Sequence, residues 1–379
     1  MTRVFAALAL IATLGVHPAA AQSTRPDGEV LPPELMRDLE RVIEEAASLA
    51  TITVSESLRA LDIDRQRARV RRAGTPLEST TLGSAAQDRG RNERTDRSTR
   101  TIPLGTAGLL ELRNVSGDIT VTAGSGRDVV IEVIKQSRAD NEADANLGLK
   151  EVEVTIDHRG ERAVVDATYP RRRTPYNVST TLNVTAPAGT RLNARSVSGS
   201  VAVRGITGEI TVDTISGTIR IDNGGRISQA RSVSGDVVLT GLETDGSVTA
   251  GTVSGNISLS SVKARRIAVE NVSGRIRAED VTSDGALMKS LSGPVEFVGP
   301  LARNGRYELH SHSGTVRLVV AGNVGFELQA TSFSGRIRPE GLSLQAITMN
   351  RGALRATVGD ASAVVIAGTF SGDVIVSRK

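Results

Sequence analysis

Residues 232–239 read SVSGDVVL, and residues 252–259 read TVSGNISL. The same Ser-Gly pair recurs with its glycine at 117, 199, 217, 235, 255, 274, 293, 314, 335 and 372. From Gly199 to Gly335 the steps are 18, 18, 20, 19, 19, 21 and 21. A last step of 37 predicts two coils, one of which has lost its marker. Self-similarity at a period of about 19 residues is the signature of a solenoid.

The template around each glycine predicts the shape of a coil. Apolar side chains stand two and four residues after it, as in Val201/Val203, Ile219/Ile221, Val237/Leu239 and Ile257/Leu259. Alternation of β-branched residues describes a strand with one buried face. Before the glycine, position −2 is apolar and position −5 is mostly Ala, Val, Met or Leu. A flat strand cannot bury both, so a bend between them is expected. The pairs Ser198-Gly199, Ser216-Gly217, Ser234-Gly235, Ser254-Gly255 and Ser273-Gly274 are read as structural corners. There glycine supplies the backbone freedom and serine bonds its own turn. Stacked coils pair strand on strand at about 4.8 Å. The fold class is therefore all-β, a β-helix or β-roll solenoid, preceded by a short α-helical segment. Pro339 breaks the strand template and suits an edge or a coil end.

Outward from the repeat, residues 190–379 are the regular solenoid and 106–189 an irregular β portion that serves as its cap. No 3.6-residue pattern stands out after residue 101. Residues 73–105 lose apolar side chains and read as a disordered linker. Within 22–72, Leu35, Met36, Leu39, Val42, Ile43, Ala46, Leu49 and Ala50 are spaced by threes and fours, which predicts an amphipathic helix over 32–58. That helix either docks on the rest of the chain or mediates oligomerisation. RQRARVRR at 65–72 is a basic cluster. Residues 1–21 have the layout of a secretory signal peptide, with cleavage expected after Ala21. Export to the periplasm or cell surface follows, and no later stretch is apolar enough for a membrane helix.

The copies NVSGDITV (114–121), SVSGDVVL and TVSGNISL, with LNVTAPAGTRLNARSVSG at 182–199, resemble the bacterial "putative adhesin" repeat family, a domain of unknown function. The resemblance covers roughly 105–379. It implies an exported or surface-associated β-solenoid without a catalytic motif, and it keeps a role in envelope-stress signalling open.

Composition narrows the chemistry. The 379 residues include no Cys, no Trp, four His and only 2% aromatic residues. Disulfides, thiolate metal sites and Cys nucleophiles are excluded. A formal charge of +4 argues against a nucleic-acid binder. No cofactor motif is present. His310 and His312 are the only His pair, and their template positions, with no third ligand in view, favour structural roles over zinc. Arg275, Arg277, Arg317, Arg336 and Arg338 are expected to stack as a ladder on one outer face. Such a ladder would suit an anionic envelope glycan or lipid head group. The sequence thus supports a non-catalytic cell-envelope scaffold. The alternatives are a signalling component acting through a protein partner and, more remotely, a β-helix polysaccharide lyase or hydrolase with paired carboxylates.

Overall fold

A computed structural model describes residues 92–170 and 172–379. The expected leader, amphipathic helix and basic cluster lie outside the described residues. The chain opens with β1 (Asn92–Pro103), β2 (Leu109–Ser116), β3 (Ile119–Gly124), β4 (Asp128–Ala139), helix α1 (Glu142–Glu151), β5 (Glu153–Arg159), β6 (Arg162–Thr168) and β7 (Tyr176–Pro187). Coils follow around Gly199, Gly217 and Gly235. They are built from β8 (Arg191–Ser198) and β9 (Val201–Arg204), β10 (Ile210–Ser216) and β11 (Ile219–Asp222), β12 (Ile227–Ser234) and β13 (Val237–Thr240). Three longer strands, β14 (Glu243–Ser254), β15 (Ile257–Ser273) and β16 (Ile276–Ser292), carry the winding past Gly255 and Gly274. The rest is β17 (Val295–Pro300), β18 (Arg306–Ser313), β19 (Val316–Ala321), β20 (Phe326–Ser334), β21 (Ile337–Glu340), β22 (Leu344–Asn350), β23 (Ala353–Val358), β24 (Ala363–Ser371) and β25 (Val374–Arg378).

Successive coils pair in parallel and in register, so equivalent template positions form straight rows. Thr214, for example, sits between Ser196 and Ser232. Positions +2 and +4 point inward as expected, with Val201, Val203, Ile219, Ile221, Val237 and Leu239 fully buried. Burying each such side chain contributes about 1.5–3 kcal/mol.

The expected inward place of −2 is not found, and this is a correction. Burial alternates with −7, −5 and −3 inward, and the ladder between coils skips −2 before it resumes at the serine. Position −3 is polar yet buried: Asn114, Ser196, Thr214, Ser232, Thr252, Asn271, Ser290, Ser311, Ser332 and Thr369. Position −2 faces outward. The turn sits at the Ser-Gly pair itself. There the side chains of Ser198, Ser216, Ser234 and Ser254 are exposed. It is the serine's backbone carbonyl that holds the corner. Gly217 N–H donates to Ser234 O at 3.1 Å, and Gly235 N–H to Ser254 O at 2.9 Å. A Cβ on Gly217 would land on the carbonyl oxygen of Gly199, and one on Gly255 on that of Gly235. Close coil-to-coil approach is what demands glycine here.

The buried −3 side chains satisfy those same carbonyls. Thr252 Oγ1 donates to Gly235 O at 3.0 Å, Asn271 Nδ2 to Gly255 O at 3.0 Å, and Ser311 Oγ to Gly293 O at 2.9 Å. Each bond contributes about 1 kcal/mol and protects an acceptor that would otherwise be orphaned inside the rod.

At both ends stacking order departs from chain order. The coil of β2 and β3 lies between β6/β7 on one side and β8/β9 on the other. The C-terminal coil, β24 and β25, inserts between β18/β19 and β20/β21. The 37-residue step therefore does not hold a coil with a lost marker. It holds the β22–β23 hairpin, which pairs antiparallel with β20. Pro339 lies on β21, which pairs only with β25, so its missing N–H costs no ladder bond.

Two further expectations are corrected. Residues 92–103, expected within a disordered linker, form β1 and pair along their whole length with β4. Its sequence NERTDRSTRTIP lacks an apolar face because β1 covers an edge, and nearly all of it is exposed. Backbone pairing and ion pairs such as Lys135–Asp96 (3.2 Å) hold it. The second correction is helix α1. Only Ala145 and Gly148 of it are buried, too few to leave a 3.6-residue pattern. It is specified by its caps instead. Asn141 Oδ1 accepts from Asp144 N at 2.8 Å, and Lys135 Nζ donates to Leu149 O at 2.7 Å.

Candidate functional site

A solenoid displays its chemistry as rows on the outside of its sheets. Row +3 carries the expected arginines, and the register separates them. Along the rod it reads Ser258, Arg277, Glu296, Arg317, Ile375, Arg338. Glu296 stands between the first two arginines. Ile375 stands between the last two because the C-terminal coil is inserted there. Row +1 runs Arg275, Pro294, Thr315, Asp373, Arg336, so its two arginines lie still further apart. The expected arginine ladder is therefore not formed. Arg277 pairs with Glu279 at 3.2 Å and lies 3.9 Å from Glu296, while Arg338 pairs with Asp373 at 3.0 Å.

Row −4 alternates in sign over much of its length: Asp166, Arg113, Arg195, Asp213, Arg231, Gly251, Glu270, Lys289, His310, Gly368. Row +1 also ties coil to coil. Asp118 Oδ1 accepts from Ser200 N at 2.8 Å, and Asp236 Oδ1 from Asn256 N at 2.7 Å.

Row −2 differs from its neighbours. It is apolar or aromatic at every coil: Val115, Val197, Ile215, Val233, Val253, Val272, Leu291, His312, Phe370 and Phe333. Most keep a solvent-facing edge, while Val253 and Val272 are 8% and 7% exposed. Insertion of the last coil brings three rings together. His312 stacks on Phe370 with centroids 5.0 Å apart, and Phe370 on Phe333 at 4.7 Å. Burial pushes the His312 imidazole below its usual range.

His310 and His312 share the outer face, with Ser311 buried between them. His310 Nε2 lies 3.9 Å from Glu308, and its ring packs over Gly368, where a Cβ would come within 3.2 Å of Nδ1. Among the described residues no group of three or more His, Asp or Glu is placed to hold a metal ion. None of the described helices is long and apolar enough to cross a membrane. The apolar −2 row is legible in the repeat, but its hydropathy alone points to the interior. The signal that places it outside is the polar residue at −3, which takes the inward slot.

The family described as Toastrack DUF4097 matches residues 110–377. No curated protein matches the chain. Among solved structures, a "putative lipid binding protein" from Parabacteroides distasonis is 12% identical, covering 74% of this chain and 96% of its own, with a TM-score of 0.42. A "putative adhesin" from Bacteroides fragilis is 10% identical, covering 74% and 97%, with a TM-score of 0.38. A "putative cell adhesion protein" from Clostridium sporogenes is 8% identical, covering 76% and 100%, with a TM-score of 0.22.

Proposed function

The chain belongs to the Toastrack DUF4097 family, and from that premise we propose that it is a non-catalytic, exported, adhesin-like scaffold of the bacterial cell envelope. The observation that carries this reading is how the outward polar groups are used. Arg195 faces Asp213 at 3.9 Å, Arg204 faces Asp222 at 3.7 Å, Arg338 pairs with Asp373, and Asp236 bonds the next coil's backbone. These groups fasten coil to coil and make a rigid rod with a long surface, the form suited to holding or spacing partners. Residues 1–21, read as a secretory signal, support export. The lyase or hydrolase reading would need carboxylates converging on a groove instead of acids committed to neighbouring coils.

The test is co-sedimentation of the mature chain with isolated envelope fractions across a salt series. Binding is the expected result, and its decline with salt would show an electrostatic contact, as an anionic glycan or lipid head group would make. No sedimentation at low salt would overturn the scaffold reading. A second reading, a signalling component acting through a protein partner, draws on β22. There Ile347 and Met349 are 56% and 69% exposed. Capture of one envelope protein, lost with both side chains replaced by lysine, would favour it.

A further inference from the structure

Rows −6 and −4 carry charged and polar residues at most coils, as a solvated face should. Row −2, on the same face, does not. Its members run from Val115 through Val197, Ile215 and Val233 to Phe333 without a charged residue. On its other side lies the Ser-Gly corner, whose largest side chain is a serine hydroxymethyl. The result is a straight apolar shelf with nothing tall between it and the corner. Eight of its ten members keep a solvent-facing edge, with Val253 and Val272 buried between them, and an uncharged apolar row on an otherwise polar face suits a docked partner.

The geometry points to this shelf as the seat of the chain's own amphipathic stretch, residues 32–58. Three observations favour that occupant. The first is length. Ten rungs are nine spacings of about 4.8 Å, or about 43 Å, and the helix expected from the spacing of 32–58 would be about 40 Å long at 1.5 Å rise per residue. The second is position. β1 begins at Asn92, opposite Ala139, which in turn faces Tyr176. Six residues further on, Ser98 comes level with Val133, Leu182 and Ile119, just past the first corner. The described chain therefore begins at the end of the rod that holds the shelf's first rung. The 33 residues 59–91 between them set an upper limit near 110 Å on the separation, more than the shelf's midpoint needs. The third is charge. Residues 32–58 hold six acids, Glu34, Asp38, Glu40, Glu44, Glu45 and Glu56, against Arg37 and Arg41. The flanking row −4 is net basic, with Arg113, Arg195, Arg231 and Lys289 against Asp213 and Glu270 over the same rungs.

The absence of cysteine makes the test clean. Nitroxides are placed on the full mature chain at Glu45→Cys and Ser254→Cys, the midpoints of stretch and shelf, so the direction of the helix does not matter. Docking predicts one narrow interspin distance of roughly 15–25 Å, set by a helix packed 8–10 Å above the row. It persists when labelled chains are diluted into unlabelled ones. Val233→Asp with Leu291→Asp on the shelf, or Leu39→Asp with Ile43→Asp on the stretch, should each broaden it. The Asp pairs face outward or lie outside the solenoid, so the rod's circular dichroism should stay unchanged. A broad distribution in the wild type overturns the proposal. So does a distance lost on dilution, which would make the occupant a second copy, or one that survives both Asp pairs.

Discussion

At the residue scale the decisive position is −3. Its side chains are small and polar, and eight of the ten bond the carbonyl of a corner glycine that no backbone N–H reaches, Ser196 and Ser290 being the exceptions. The row offers an internal comparison. Thr252 is bonded to Gly235 O, while the Ser290 hydroxyl is buried without a partner. Thr252→Val should cost about 1–2 kcal/mol by orphaning that carbonyl, and Ser290→Ala should be neutral or slightly stabilising. Urea midpoints of the two variants check this. His312 supplies a pH dependence. Its folded pKa lies below the unfolded one, so its contribution to stability is whole above about pH 6.5 and is lost as pH falls through the folded value. His312→Phe should remove that loss while keeping the stack on Phe370. Melting temperatures at pH 5 and pH 7.5 should converge toward a smaller gap in the variant than in the wild type. The solenoid was legible in the repeat, because period and alternation are local properties. The direction of −2 and −3 was not, since a buried serine and an outward valine oppose the usual hydropathy rule.

At the element scale the coils protect their edges unequally. β1 closes one end with charged, solvated side chains and full pairing to β4. β22 closes the other with Ile347 and Met349 exposed, and Ala346 at a φ of 46° where the register with β23 shifts. A bulge and a left-handed residue keep an edge from being a flat template for further strands. The apolar side chains work against that protection. Ile347→Lys with Met349→Lys should leave stability within about 0.5–1 kcal/mol, since both are exposed. The same variant should lower self-association, read by light scattering on concentration. β1 and α1 were illegible for a shared reason. Edge pairing and helix capping need little apolar surface, and the sequence pattern records mainly apolar surface.

At the scale of the whole molecule, stacking order and chain order differ at both ends, and much of the surface follows from that. The inserted C-terminal coil puts Ile375 between Arg317 and Arg338 and puts Phe370 between His312 and Phe333. A repeat period states how long a coil is and not which coil lies beside it, so the separation of Arg317 from Arg338 by Ile375 was not legible in it. Truncation after Ser362 should therefore remove a rung from inside the rod, detaching β20 and β21 from β18 and β19. It should lower the unfolding midpoint far more than the Ile347/Met349 variant does, by circular dichroism. The most direct measurement of the account is oxidation of paired cysteines at the corners. Neighbouring corner residues stand about 4.8 Å apart, within disulfide reach, and residues two rungs apart at about 9.6 Å are beyond it. Ser313→Cys with Ser371→Cys, and Ser334→Cys with Ser371→Cys, should each close a disulfide, because these residues are register partners. Ser313→Cys with Ser334→Cys should not. Ready closure of that third pair, with the first two left open, would place the coils in chain order and contradict the structure described.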